Sequence, residues 1–110
     1  MTGLIALLLT LGLTPLEAKT YTILEEQGRA HEFACVAEVF HAESSWRPDA
    51  IGDKSLGGSY GLPQRHAPAH GMPPWPWPLR EQVEWTLEYA DGRYGGMCEA
   101  ADDRRRKGWW

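Results

Sequence analysis

The sequence predicts a mainly α domain, small and single, interrupted by one long irregular loop with a small β-hairpin. Three observations carry that expectation. Segments beginning near residues 33 and 79 repeat apolar residues at helical spacing, and every proline after Pro15 falls between positions 48 and 78. The composition, 43% hydrophobic and 24% charged over 110 residues, suits one core and one domain. A formal net charge of -4 supplies no strong basic field of the kind that nucleic-acid binding uses, so no nucleic-acid partner is expected.

The stretch from Leu4 to Leu13 is almost unbroken Leu, Ile and Ala. It is about half the roughly 20 residues a membrane-spanning helix needs, so stable membrane insertion is not expected. It reads instead as the apolar region of a secretory signal, with Leu16-Glu17-Ala18 offering a small residue before a cut. Residues 1–18 are then the signal and 19–110 the mature domain, secreted or held in the cell envelope. The competing reading is an uncleaved amino terminus that does not fold with the rest. In an oxidising compartment Cys35 and Cys98 are most simply a disulfide, and two buried free thiols are the alternative.

The first helix is read from Phe33, Val36, Ala37 and Phe40, apolar at i, i+3, i+4 and i+7, and should end between Glu43 and Trp46. Arg47-Pro48 discourages its continuation, because the residue before a proline is pushed out of the α region. From Pro48 to Pro78 the pairs Gly57-Gly58 and Pro73-Pro74 and the run Trp75-Pro76-Trp77-Pro78 oppose regular structure. So long a loop in so small a domain points to a loop that builds a site. A second helix follows Pro78, with Val83, Leu87, Ala90 and Tyr94 on one face, and Gly95-Gly96 stops it. A third runs from about Met97 to Lys107, its acids Glu99, Asp102 and Asp103 ahead of the bases Arg104 to Lys107, as suits a helix dipole; those bases read as a solvated face.

Glu43 is the candidate for chemistry. It lies in His41-Ala42-Glu43-Ser44-Ser45-Trp46, at the end of an apolar helix and just before the irregular loop, where a carboxyl can be partly buried yet face a cleft. Burial beside aromatic groups disfavours the charged form, which suits a general acid working near neutral pH. A Glu at a helix end is also an ordinary solvated or capping residue.

Glu43-Ser44 with Trp46 and Ala50 downstream, then Gly58-Ser59-Tyr60-Gly61-Leu62-Pro63-Gln64, then Trp85, Tyr89 and Arg93-Tyr94-Gly95, resembles the soluble lytic transglycosylase family of the lysozyme superfamily. The resemblance covers residue 33 to the end and implies a small lysozyme-like domain. It implies that Glu43 is the single acid/base and that Gly61, Leu62, Pro63 and Gln64 form a hairpin or loop beside the cleft. It also implies that Ser59 and Tyr89 orient the acid and the sugar, and that the substrate is the peptidoglycan glycan strand. The product would be 1,6-anhydro-N-acetylmuramic acid, formed with no cofactor by a monomer. Pro63 stands where Met is common in the family, and the family's Ala-Tyr-Asn-Ala-Gly motif is absent near Cys98-Glu99-Ala100.

Trp46, Tyr60, Trp75 and Trp77 offer flat faces to sugar rings or to the core; for Trp46 packing beside Glu43 is the favoured reading, and for Trp75 and Trp77 the two stand level. A hydrolase would need a second carboxylate, for which Asp49 and Asp53 are the nearby choices, Asp49 beside Pro48 reading more simply as a turn residue. His66 and His70 have the spacing of metal ligands, but Pro68 between them spoils the helix that would align them, so no metal is expected. A hydrolysing lysozyme of the same fold and a catalytically inactive wall-binding module are the two other readings.

Overall fold

The computed structural model describes residues 5, 7–9 and 11–110; positions 4, 6 and 10 of the amino-terminal apolar run lie outside them. Helix α1 spans Pro15–Glu26. Thr14 starts it: its hydroxyl accepts from the Glu17 amide at 3.1 Å while the Glu17 carboxylate accepts from the Thr14 amide at 2.9 Å, with Pro15 preset for the first turn. The expected boundary after Ala18 therefore falls inside a capped helix. Ala18 is fully buried and Leu16 packs on the core.

A 3₁₀ turn, Ala30–Glu32, leads into α2, Phe33–Ser44. Val36, Val39 and Phe40 are fully buried, so the inner face is rotated from the expected one: Val39 is inside, and Phe33 and Ala37 sit at its margin. Ser45 and Trp46 both take left-handed backbone, with φ of 53° and 59°, and turn the chain out of the helix.

The irregular segment is more ordered than its prolines suggest. It holds three two-residue strands, β1 (Ile51–Gly52), β2 (Ser59–Tyr60) and β3 (Arg65–His66), in one antiparallel sheet of order β1-β2-β3. Ile51 faces Tyr60, and Ser59 faces His66. The Gly61–Gln64 stretch is the turn between β2 and β3, where the hairpin was expected. A single helical turn, α3 (Ala67–His70), follows.

Helices α4 (Leu79–Tyr94) and α5 (Met97–Lys107) lie at the expected positions. Val83, Leu87 and Ala90 are buried, meeting Leu24, Val36, Phe40, Leu62 and Met97 in the core. Cys35 and Cys98 form a disulfide, with Cα atoms 5.1 Å apart, joining α2 to α5 across 63 positions of sequence. Closing so long a loop stabilises the fold by about 4 kcal/mol in the chain-entropy account. Among the described residues no helix is long and apolar enough to cross a membrane.

Arg29, in the turn after α1, reaches two carboxylates. It donates to Glu32 at 2.5 and 2.9 Å and to Asp91 on α4 with two bonds of 2.8 Å. This guanidinium holds the Glu32 carboxyl below its ordinary range against the opposing effect of burial, and holds that of Asp91 below its range as well. Carboxyls depressed in the folded state contribute stability above their unfolded pKa, near 4, and that contribution is lost as pH falls through the folded values. Arg29→Met should therefore cost about 2 kcal/mol at pH 7 and progressively less below about pH 4 in urea unfolding. An equal cost at pH 7 and pH 2.5 would contradict the assignment.

Candidate active site

The β2–β3 turn is held from below by one side chain. Gln82, fully buried on α4, accepts from the Leu62 amide at 2.7 Å and donates to the carbonyls of Trp77 at 2.8 Å and Pro48 at 3.0 Å. Gly61 permits that approach. Its φ is +76°, and a Cβ there would stand 2.6 Å from the Gln82 oxygen and 2.8 Å from the Trp77 ring. Gln64 closes the turn, its side-chain amide donating to the carbonyls of Gly61 at 3.1 Å and Ala50 at 3.3 Å.

The turn forms one wall of a cleft of about 410 Å³ lined by Glu43, Asp53, Ser59, Gln64, His66, Ala69, His70, Tyr89, Arg93, Trp109 and Trp110. Four of the residues singled out from sequence, Glu43, Ser59, Gln64 and Tyr89, thus meet there from three separate segments. Trp46 does not line it. Its ring packs edge-on against Phe40, 5.3 Å between centroids, and beside Phe33. Tyr60 is also outside the lining, set against Trp75 at 5.4 Å, and Gly61 serves as backbone of the turn. Trp77 is only 6% exposed and acts as packing.

Glu43 ends α2 with its side chain 16% exposed, and its Oε2 accepts from Arg104 Nε at 2.5 Å. The wall beside it is thus a guanidinium on α5, where an aromatic setting was expected. Arg105 makes a parallel pair one turn back, donating to both oxygens of Glu38 at 2.8 and 3.0 Å. Two of the four bases read as a solvated face instead bind α5 to α2.

Across the cleft, Tyr89 is stacked on Trp85 with centroids 4.9 Å apart and receives Trp110 edge-on at 5.0 Å. Trp110 Nε1 donates to the Pro63 carbonyl at 3.0 Å, so the carboxyl-terminal residue ties the turn to the aromatic wall. His70 packs edge-on to both Trp85 and Tyr89. Burial, with Arg65 and Arg93 nearby, pushes its imidazole below the ordinary value, so it is neutral at pH 7. His66 Nδ1 lies 3.3 Å from the Ser59 hydroxyl. Among the described residues no three His, Cys, Asp or Glu side chains form a metal-binding group.

A larger hollow of about 520 Å³, which includes Arg65, Trp77, Glu81, Trp85 and Glu88 in its walls, contains one ring expected to meet sugar, Trp77, but none of Glu43, Ser59, Gln64 and Tyr89. Comparison with protein-family models, curated proteins and solved structures finds no match to the chain. The case for the cleft therefore rests on its own geometry.

Gln82, Arg93, Arg104 and Trp110 were not among the expected site residues. Gln82 carried a legible signal, since it shares the buried face with Val83 and Thr86, where a polar residue needs internal partners. Gln82→Met should leave the Leu62 amide and two carbonyls without their bonds. It should lower unfolding stability by about 3 kcal/mol and bring faster amide exchange at residues 61–64, read by denaturant titration and hydrogen exchange. Unchanged exchange in the turn would mean that other contacts hold it.

Proposed function

We propose that the chain cleaves the glycan strands of bacterial peptidoglycan as a lytic transglycosylase, with Glu43 as its single acid/base. The observation that supports this is the convergence on one cleft of a helix-terminal Glu43, the Ser59 and Gln64 sides of the hairpin, and Tyr89 of α4. These are the segments that the family resemblance names, and they are far apart in sequence. The fold then serves as a lysozyme-like scaffold.

In this account Glu43 donates its proton to the glycosidic oxygen between N-acetylmuramic acid and N-acetylglucosamine, and the C1–O bond breaks as positive charge develops on the muramic ring. The muramic 6-hydroxyl oxygen attacks C1 and its proton passes to the Glu43 carboxylate. The anhydro ring closes and the acid is restored, so no second carboxylate takes part. Arg104 occupies Oε2, while Oε1 has no hydrogen bond among the described residues, which makes Oε1 the oxygen that carries the proton.

One observation favours hydrolysis as the second reading: Asp53 lines the same cleft as Glu43, whereas Asp49 lies in a separate hollow with Pro48 and Trp75. A carboxylate at Asp53 would guide a water in place of the 6-hydroxyl. The Cys35–Cys98 bridge is compatible with work outside the cytoplasm.

Mass spectrometry of fragments released from purified peptidoglycan distinguishes the readings. Transglycosylation predicts anhydro-muramic ends, a loss of about 10³-fold or more in Glu43→Gln, and a rate within about threefold of the parent in Asp53→Asn. Reducing ends together with an inactive Asp53→Asn would mean hydrolysis. No fragments from the parent protein would reject the enzymatic reading in favour of an inactive wall-binding module.

A further inference from the structure

Arg93 brings a permanent positive charge to the cleft wall and, among the described residues, makes no salt bridge. Its surroundings are aromatic. The guanidinium carbon lies 5.5 Å from the Tyr94 ring centre, 5.7 Å from that of Trp109 and 5.9 Å from that of Tyr89. The Tyr89 and Tyr94 hydroxyls lie near part of its N–H edge, but among the described residues no carboxylate does, so its charge remains for a planar two-oxygen acceptor. The other cations close by are already engaged: Arg104 by Glu43, and Lys107 by Asp103 at 3.1 Å. Lys107 also sits 4.8 Å over the other partner ring, Trp109, which is 52% exposed.

We propose that Arg93, held by Tyr94 and Trp109, is a subsite for a carboxylate carried on the substrate sugar, and that it makes the cleft select acidic glycans over neutral ones. The inference rests on the proposed glycan-cleaving function. Glu43 and Asp53 share the cleft and would repel an acidic substituent; Arg104 neutralises the first, and Arg93 offers the compensating charge on the wall formed by α4 and the carboxyl terminus. In peptidoglycan the carboxylate has two sources, the lactyl group of muramic acid and the peptide attached to it, and either presents the same two oxygens.

The test is calorimetric binding to the full chain carrying Glu43→Gln, so that glycans stay intact, with and without Arg93→Gln or Arg93→Lys. Three tetrasaccharides are compared: alternating N-acetylglucosamine and N-acetylmuramic acid with free lactyl acids, the same glycan with peptides attached, and neutral chitotetraose. At least one acidic glycan should bind about tenfold tighter than chitotetraose. Arg93→Gln should abolish that preference while leaving chitotetraose affinity within about twofold, and Arg93→Lys should keep part of it. Which acidic glycan is preferred identifies the source of the carboxylate. A preference that survives Arg93→Gln, or equal binding of all three glycans, overturns the subsite and leaves the glycan reading standing. Failure of all three to bind overturns both.

Discussion

The cleft depends on one buried amide. Gln82 is the only side chain that touches the backbone of the irregular segment at its entry (Pro48), its hairpin turn (Leu62) and its exit (Trp77) among the hydrogen bonds of the described residues. A loop with short strands has little hydrogen bonding of its own to fix it, and its polar backbone groups cannot be buried without partners. By meeting three of them from a rigid helix, Gln82 converts a proline-rich connection into a wall. Gly61 is the backbone condition for that contact, since any Cβ would collide with the amide. Ser59 and Gln64 face Tyr89 because the turn is seated in this way.

The opposite support is the seam between α2 and α5. The disulfide from Cys35, the Glu38–Arg105 pair and the Glu43–Arg104 pair follow one another along α2. The first two sit on structure alone, and exposed pairs of the second kind contribute little. The third joins the seam to the cleft. Glu43 is thus both a structural partner of α5 and the proposed acid/base, and its Oε2 serves the first role while Oε1 remains for the second. This division lets the carboxyl be fixed in place without a second acidic residue in the mechanism.

Helices were the legible part of the sequence, because apolar spacing and the Gly95-Gly96 break state them locally. Helix α5 was marked by its charge order. The rotation of α2 about its axis was less legible, since Phe33 and Ala37 are as apolar as Val39 and only packing decides among them. Helix α1 carried a capping signal at Thr14 and Glu17 that the neighbouring apolar run obscured. Among the residues that line the cleft, Ser59, Gln64 and Tyr89 had been picked out by the family resemblance. Arg104 and Trp110 were not, because each acts on a segment more than forty positions away, the first on Glu43 and the second on Pro63. Trp46 and Tyr60 show the converse: an aromatic ring next to a motif says nothing about whether it faces substrate or core.

The aromatic wall, the hairpin and the end of α2 therefore define one cleft whose contents decide the account. The most direct measurement is a crystal structure of the Glu43→Gln protein with a peptidoglycan tetrasaccharide bound. The account predicts a glycosidic oxygen about 3 Å from the side-chain amide at position 43, with a sugar ring against Tyr89 and Trp110. A glycan seated instead in the hollow between Trp77 and Trp85, with no glycosidic oxygen near position 43, would contradict it.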